Sequence, residues 1–443
     1  MTVSEGMVCE TASLREPAKG SDGTAPRRAG PYAWAVFALT FGLLMSDHMA
    51  RQVLNAVSPL LKADWNLSDV EVASLSSVVA IAVGVLAFPL SVAADRLGRV
   101  RSLAAMAILW SLATLGGALA SSYPQMLAAR TIVGVGEAAY GSVGIAILFA
   151  VFPVTMRATL SSAFLAGSVV GQILGMVAGS QIAADHGWRW AFAWIGAAGL
   201  LLALAYPVVV REARTAGNPA SGWPDWRELA ALLFGRRVLW LVYFASGIQL
   251  FCSGALVVFM PLLFTRYYGL PIEGAGRLTA TLLLTSAAGM LVCGMVADRL
   301  ARSRRTALPR VAMTCSTGAG VLFALAFFAR PGALQVLLLG AGLFLAPAVA
   351  GIAGAMVAGL VPSRVHGAAM AVLALGNNLL GLALGPWLVG AISDHSNLLA
   401  ALLILPVPSA LSAGAMALAK ANPERGKDQS FPTERRPDSS HAS

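Results

Sequence analysis

A chain of 443 residues that is 57% hydrophobic and only 12% charged lies outside the range of soluble globular domains, in which about a quarter of residues are charged. Its charges gather in the two ends and in short loops, leaving apolar runs of about 20 residues, the length that crosses about 30 Å of hydrocarbon as a helix. The formal charge of +10 does not mark a nucleic-acid binder, because Lys and Arg are sorted by loop rather than clustered on one face.

Taken in order, residues 1–31 are polar and mixed in charge, without the apolar core and small-residue cleavage site of a signal peptide. They are expected to be a disordered cytoplasmic tail, with the first span as the insertion signal. Long apolar runs without alternation predict helices rather than barrel strands. Twelve are predicted, at 33–60, 72–93, 101–120, 124–152, 158–184, 190–210, 237–265, 275–297, 308–328, 334–361, 367–393 and 399–419. Residues 211–236 interrupt the series with charge, Gly217-Asn-Pro219 and Trp223-Pro-Asp-Trp226, and read as a cytoplasmic linker whose end forms a short helix on the membrane surface. Residues 421–443 are expected to be a second disordered tail. The fold class is therefore an all-α membrane protein, with six-helix halves at 32–210 and 237–420.

Internal similarity supports two pseudo-symmetric halves. Pro59 pairs with Pro261 at an offset of 202, Asp95 with Asp298 at 203, and Pro153-x-x-x-Arg157 with Pro362-x-x-x-His366 at 209. With a cytoplasmic N-terminus, 24 of the 31 Lys and Arg fall in cytoplasmic segments, five in outer segments and two within spans, the bias that sets orientation in membranes. The preference for Arg over Lys and the abundance of Ala suggest a bacterial inner membrane. Cys9, Cys252, Cys293 and Cys315 lie in the tail or within spans and have no partner at metal-ligand spacing. Neither a metal nor another cofactor is expected, and neither is an outer-face disulfide.

The loop after the second span reads Ser91-Val-Ala-Ala-Asp95-Arg96-Leu-Gly98-Arg99-Val-Arg101, and an echo follows the eighth: Gly294-Met-Val-Ala-Asp298-Arg299-Leu-Ala-Arg302. These copies resemble the loop motif of the major facilitator superfamily of membrane transporters, which recurs at the same two places. Ser91 replaces the first glycine of one copy and Ala301 the turn glycine of the other. The resemblance assigns Asp95, Arg96, Gly98, Arg99, Asp298 and Arg299 to conformational gating. It implies a substrate site between the halves near the membrane midplane.

Ionisable side chains in the middle of a span are costly and become functional candidates by default. Span one carries Asp47, His48 and Arg51; Asp47, Arg51, Asn55 and Ser58 fall within about 80° of one another on a helix. Span four carries Arg130 and Glu137, about 10 Å apart along the axis. A purely structural alternative is that Asp47 and Arg51 neutralise each other and that Arg130 and Glu137 find partners on neighbouring helices. The matching positions of the second half are Gln249, Ser253, Leu339 and Ala346, so charge is not repeated there. A division of labour follows, with proton and anion handling in the first half and substrate-shaping polar groups in the second. Burial disfavours an ionised carboxylate and a nearby Arg favours it. Glu137, with Asp47 second, is accordingly the candidate for proton coupling. Arg51, Arg130, Asn55, Gln249, Ser253, Asn377 and Asn378 are the candidates for substrate binding.

Within the superfamily, Arg51-Gln-Val-Leu-Asn-Ala-Val-Ser-Pro59 and Arg130-Thr-Ile-Val-Gly134-Val-Gly136-Glu137-Ala-Ala-Tyr140 resemble spinster-like lipid transporters and, less closely, anion:cation symporters. Those families place Asp directly before the span-one Arg, where this chain has Ala50. Gly167, Gly171, Gly175 and Gly179 give span five a smooth packing face. Family antiporters place a proline after the central glycine, and here Met176 stands there, which weakens a drug/proton antiporter reading. The expectation is a monomeric secondary transporter of a small or amphipathic anionic solute, proton-coupled and not an enzyme. The alternatives are a drug/proton antiporter of the same superfamily and, less favoured, a non-transporting membrane sensor.

Overall fold

A computed structural model describes residues 30–153, 156–211, 226–303, 307–362 and 365–421. The two expected tails, Cys9 and most of the linker lie outside the described residues. The described chain is helical and contains no strand, and twelve of its segments are long and apolar enough to cross a membrane.

Spans one to three are α1 (Pro31–Trp65), α2 (Asp69–Leu97) and α3 (Arg99–Leu119). Span four is divided into α4 (Tyr123–Glu137) and α5 (Tyr140–Val151), and spans five and six are α6 (Arg157–His186) and α7 (Trp188–Val209). After α8 (Trp226–Phe234) come α9 (Arg237–Tyr268), α10 (Ile272–Ser303) and α11 (Ala307–Phe328) as spans seven to nine. Span ten comprises α12 (Ala333–Leu345) and α13 (Ala348–Leu360). Span eleven joins α14 (His366–Gly376) to α15 (Leu384–His395) through a π-helical stretch at Asn377–Ala383, and span twelve comprises α16 (Leu398–Leu402) and α17 (Pro406–Ala421). Each overlaps a span predicted from the sequence. Several run past the predicted ends, as helices do when they continue through the headgroup region, which brings a bilayer to about 40–45 Å.

The two copies of the loop motif end differently. Gly98 adopts φ +102 and turns the chain from α2 straight into α3, a conformation that L side chains rarely take. At the matching place Ala301 cannot make that turn cheaply, and α10 continues to Ser303. Asp95 Oδ1 accepts from Arg99 Nε at 2.7 Å across the first turn. This loop, α8 and the start of α1, where Tyr32 Oη accepts from the Arg211 backbone N–H, mark one face of the molecule, called here the loop-repeat face.

Lipid offers helices no hydrophobic drive to associate, so close packing has to hold them. The seam between α1 and α6 shows how. A Cβ on Gly171 would stand 2.6 Å from Met45 O, and one on Gly175 would stand 2.7 Å from Met49 Cα. Any side chain at these glycines would push the two helices apart.

Spans four and ten break at corresponding places, 138–139 and 346–347. Glu137 therefore borders one interruption and its counterpart Ala346 opens the other, one charged and the other apolar. A π-helical turn widens a helix locally and is frequent at functional sites. The one in span eleven leaves Ala383 O to accept from Ser77 Oγ of α2 at 2.7 Å, across the boundary between the halves.

Candidate functional site

The polar stripe predicted on α1 faces the interior. Asp47, Gln52, Asn55 and Ser58 are buried, in keeping with the cost of exposing such groups to lipid. Arg51 turns to span four, and its Nε lies 2.6 Å from Glu137 Oε2. Asp47, one turn earlier, is paired with its neighbour, His48 Nδ1, at 3.1 Å. The i,i+4 pairing of Asp47 with Arg51 that their spacing suggests is thus not the contact formed. Glu137 Oε1 and Asp47 Oδ1 are buried and find no hydrogen-bond partner among the described residues.

Arg130 is only 2% exposed. Its Nη1 donates to Ala50 O at 2.9 Å, while its Nε has no partner and no carboxylate among the described residues lies within ion-pair distance. Nearby, Ser76 Oγ donates to Asn55 Oδ1 at 2.9 Å, and Asn55 Nδ2 donates to Gln52 Oε1 at 3.0 Å. This chain of bonds fixes the orientation of both amides.

Two cavities meet at this stripe. A vestibule of about 1170 Å³ is lined by Asp47, His48, Arg51 and Glu137 on one side and by residues from Val365 to Asn378 on the other, and it reaches Ser91 and Leu229 towards the loop-repeat face. An inner cavity of about 340 Å³ is lined by Gln52, Asn55 and Arg130 of the first half and by Leu250, Ser253 and Leu382 of the second. His48 and Arg51 line both. Of the second-half candidates, Ser253 faces the inner cavity with its hydroxyl unpartnered, and Asn378 faces the vestibule. Gln249 and Asn377 do neither. Gln249 Nε2 donates to Ser409 Oγ at 3.3 Å, and Asn377 Oδ1 accepts from Ser246 Oγ at 2.7 Å, so both bind helix to helix.

At the far face the halves are tied shut by residues that sequence reasoning missed. Asp69, 4% exposed, opens α2 and receives both Arg266 nitrogens at 2.7 and 3.0 Å, Lys62 Nζ at 2.8 Å and Ser393 Oγ at 2.5 Å. Asp394 accepts from the backbone N–H groups of Asp69 and Val70 at 2.6 and 3.0 Å. Lys62 and Asp69 belong to the first half; Arg266, Ser393 and Asp394 belong to the second. A signal was present in the sequence, since Asp394 sits in the last turn of its helix, where the helix dipole disfavours an acid. Its role is to cap the N-terminus of α2, another helix.

A family model described as Major Facilitator Superfamily matches residues 40–339. The chain is 24% identical over 282 residues to the "Probable L-galactonate transporter" of Escherichia coli (strain K12), a match that covers 60% of this chain and 61% of that protein. It is 26% identical over 376 residues to "Protein spinster homolog 1" of Homo sapiens, covering 79% and 71%. Among solved structures, a bacterial homolog to the human lysosomal transporter Spinster, inward-facing and unoccupied, superposes with a TM-score of 0.80 at 19% identity, covering 89% of this chain and 98% of that one. At that identity the likeness is one of fold.

Proposed function

Because the chain belongs to the Major Facilitator Superfamily, and is therefore a membrane transporter and not an enzyme, we propose that it moves a small organic anion, coupled to protons, by alternating access between its halves. The observation that carries this reading is Arg130, a buried guanidinium on the wall of the inner cavity with no carboxylate among the described residues within ion-pair distance. A buried cation without an ion-pair partner is expensive, and a ligand carboxylate or phosphate relieves that cost through two parallel hydrogen bonds. L-galactonate, named for one relative, is a carboxylate. Arg51 lines the same cavity but is already engaged by Glu137.

Proton coupling is assigned to Glu137, with Asp47 second. An anion reaching the inner cavity competes with Glu137 for Arg51, and a carboxyl that gains and loses a guanidinium during the cycle is one that can take up and release a proton. The positive-inside bias supports an orientation with both termini cytoplasmic, and the preference for Arg over Lys with abundant Ala supports a bacterial inner membrane. In that orientation the vestibule opens inward and the Asp69 cluster closes the outside. Residues 32–210 and 237–420 are the two moving halves. The loop residues Asp95, Arg96, Gly98, Arg99, Asp298 and Arg299 adjust the balance between their arrangements. Uptake of labelled organic acids into proteoliposomes, with and without a pH gradient, tests the proposal. Transport of carboxylates that rises with an imposed gradient is the expected result, and equal transport of their neutral amides would overturn the anion reading.

A further inference from the structure

The inner cavity is unevenly lined, and this unevenness selects among organic anions. Its first-half wall is mainly polar, with Arg51, Gln52, Asn55, Arg130 and Gln172 prominent and Val79, Ala80 and Val169 between them. The facing second-half wall is apolar, with Leu250, Val257, Val258, Leu283, Met290 and Leu382, and among its described lining residues only Ser253 and Ser286 carry a polar side chain. A solute held between them meets cations, amides and hydroxyls on one side and hydrocarbon on the other. A polyhydroxylated acid carries hydroxyls all round its chain, so part of them would lose water against the second wall without gaining partners.

The geometry points to a carboxylate with an apolar body, such as an aromatic or branched aliphatic acid, as the solute the inner cavity takes, in preference to a sugar acid. The carboxylate lies towards Arg130 and the body lies along Leu250, Val257 and Met290. The two serines on that wall leave room for one polar substituent. Ser253 Oγ, buried and unpartnered, is the group placed to receive it. This inference rests on the anion reading above and narrows it.

Its test uses purified full-length protein in lipid nanodiscs and three probes, 4-methylbenzoate, 4-methylbenzamide and D-gluconate, with binding followed by titration calorimetry. 4-Methylbenzoate is expected to bind at least about tenfold more tightly than D-gluconate, since the hydrocarbon wall leaves part of gluconate's hydroxyls desolvated without partners. It is also expected to bind at least about tenfold more tightly than the amide, which lacks the charge that Arg130 needs. Gluconate binding as tightly as 4-methylbenzoate, with the amide still weak, would overturn the inference and leave the anion reading standing. Amide binding as tight as the acid would overturn the anion reading itself. Val257→Thr and Met290→Gln, which add polar atoms to the apolar wall, should each narrow the acid-to-gluconate ratio by about threefold or more. An unchanged ratio in both variants would remove that wall from the account of selectivity.

Discussion

Arg51 Nε and Glu137 Oε2 lie 2.6 Å apart, a contact that ties the middle of span one to the break in span four. Each is the other's only ion-pair partner among the described residues, so whatever draws Arg51 away leaves Glu137 without one. In the proposed cycle, substrate binding and protonation are linked through that contact.

Glu137→Gln keeps the shape of the side chain and removes its titration. It is expected to abolish accumulation driven by a pH gradient while preserving exchange of substrate between two sides at equal pH. Counterflow and gradient-driven uptake in the same vesicles check this. A variant that still concentrates substrate in response to the gradient would transfer the proton role to Asp47.

Replacing Arg130 by Gln removes the unpaired cation of the inner cavity, and replacing Arg51 by Gln frees Glu137. Both variants should weaken anionic substrates at least about tenfold and neutral analogues by much less, the scale set by losing a charge-assisted bidentate contact. Competition binding with acid and amide pairs measures the difference. Equal loss for both members of a pair would assign the two arginines to scaffolding.

Asp69→Asn takes one charge from the cluster that closes the far face and leaves Lys62 and Arg266 without their common partner. Breaking a buried pair costs about 3–5 kcal/mol. With the Arg266 side chain 31% exposed, solvent reduces this to about 1–3 kcal/mol. The population open at that face should rise by about one order of magnitude or more. Spin-label distances between the ends of α2 and α9, measured in wild type and variant, report the shift. Unchanged distances would mean that the cluster does not set the equilibrium.

Asp95 is more than half exposed and paired with Arg99 within its own turn, so its removal should not reach the binding site. Asp95→Asn is expected to slow turnover while leaving affinity within a few fold, in keeping with the roughly 0.3–1 kcal/mol of an exposed helix-end charge. Equilibrium binding beside initial rates separates the two effects, and a collapse of binding with normal turnover would contradict the gating role.

The spans were legible in the sequence because hydropathy reports the solvent around a helix, and lipid imposes one answer over about 20 residues. The stripe on α1 was legible for the same reason, as polar side chains have only the interior to face. Which of those charges meet was not. Spacing along α1 favours Asp47 with Arg51, yet a helix repeat says nothing about a carboxylate arriving from another span, and Glu137 takes the guanidinium. Asp69 was missed because it reads as an ordinary first-turn acid inside the Ser68–Glu71 capping box, which is also formed. Its second set of partners comes from residues about 200 and 325 positions away, and only the fold brings those close.

The glycine seam between α1 and α6 works as a weld. Where backbone lies directly on backbone, no side chain can change rotamer to let one helix slip past the other, so the pair has a single register. About a third of the inner cavity's lining residues belong to this unit, His48, Arg51, Gln52 and Asn55 from α1 with Ser168, Val169 and Gln172 from α6. That part of the cavity wall then travels as one piece when the protein changes which side it faces. A solute meets the same polar groups at the same spacing on arrival and on departure, and release must come from the other half moving away.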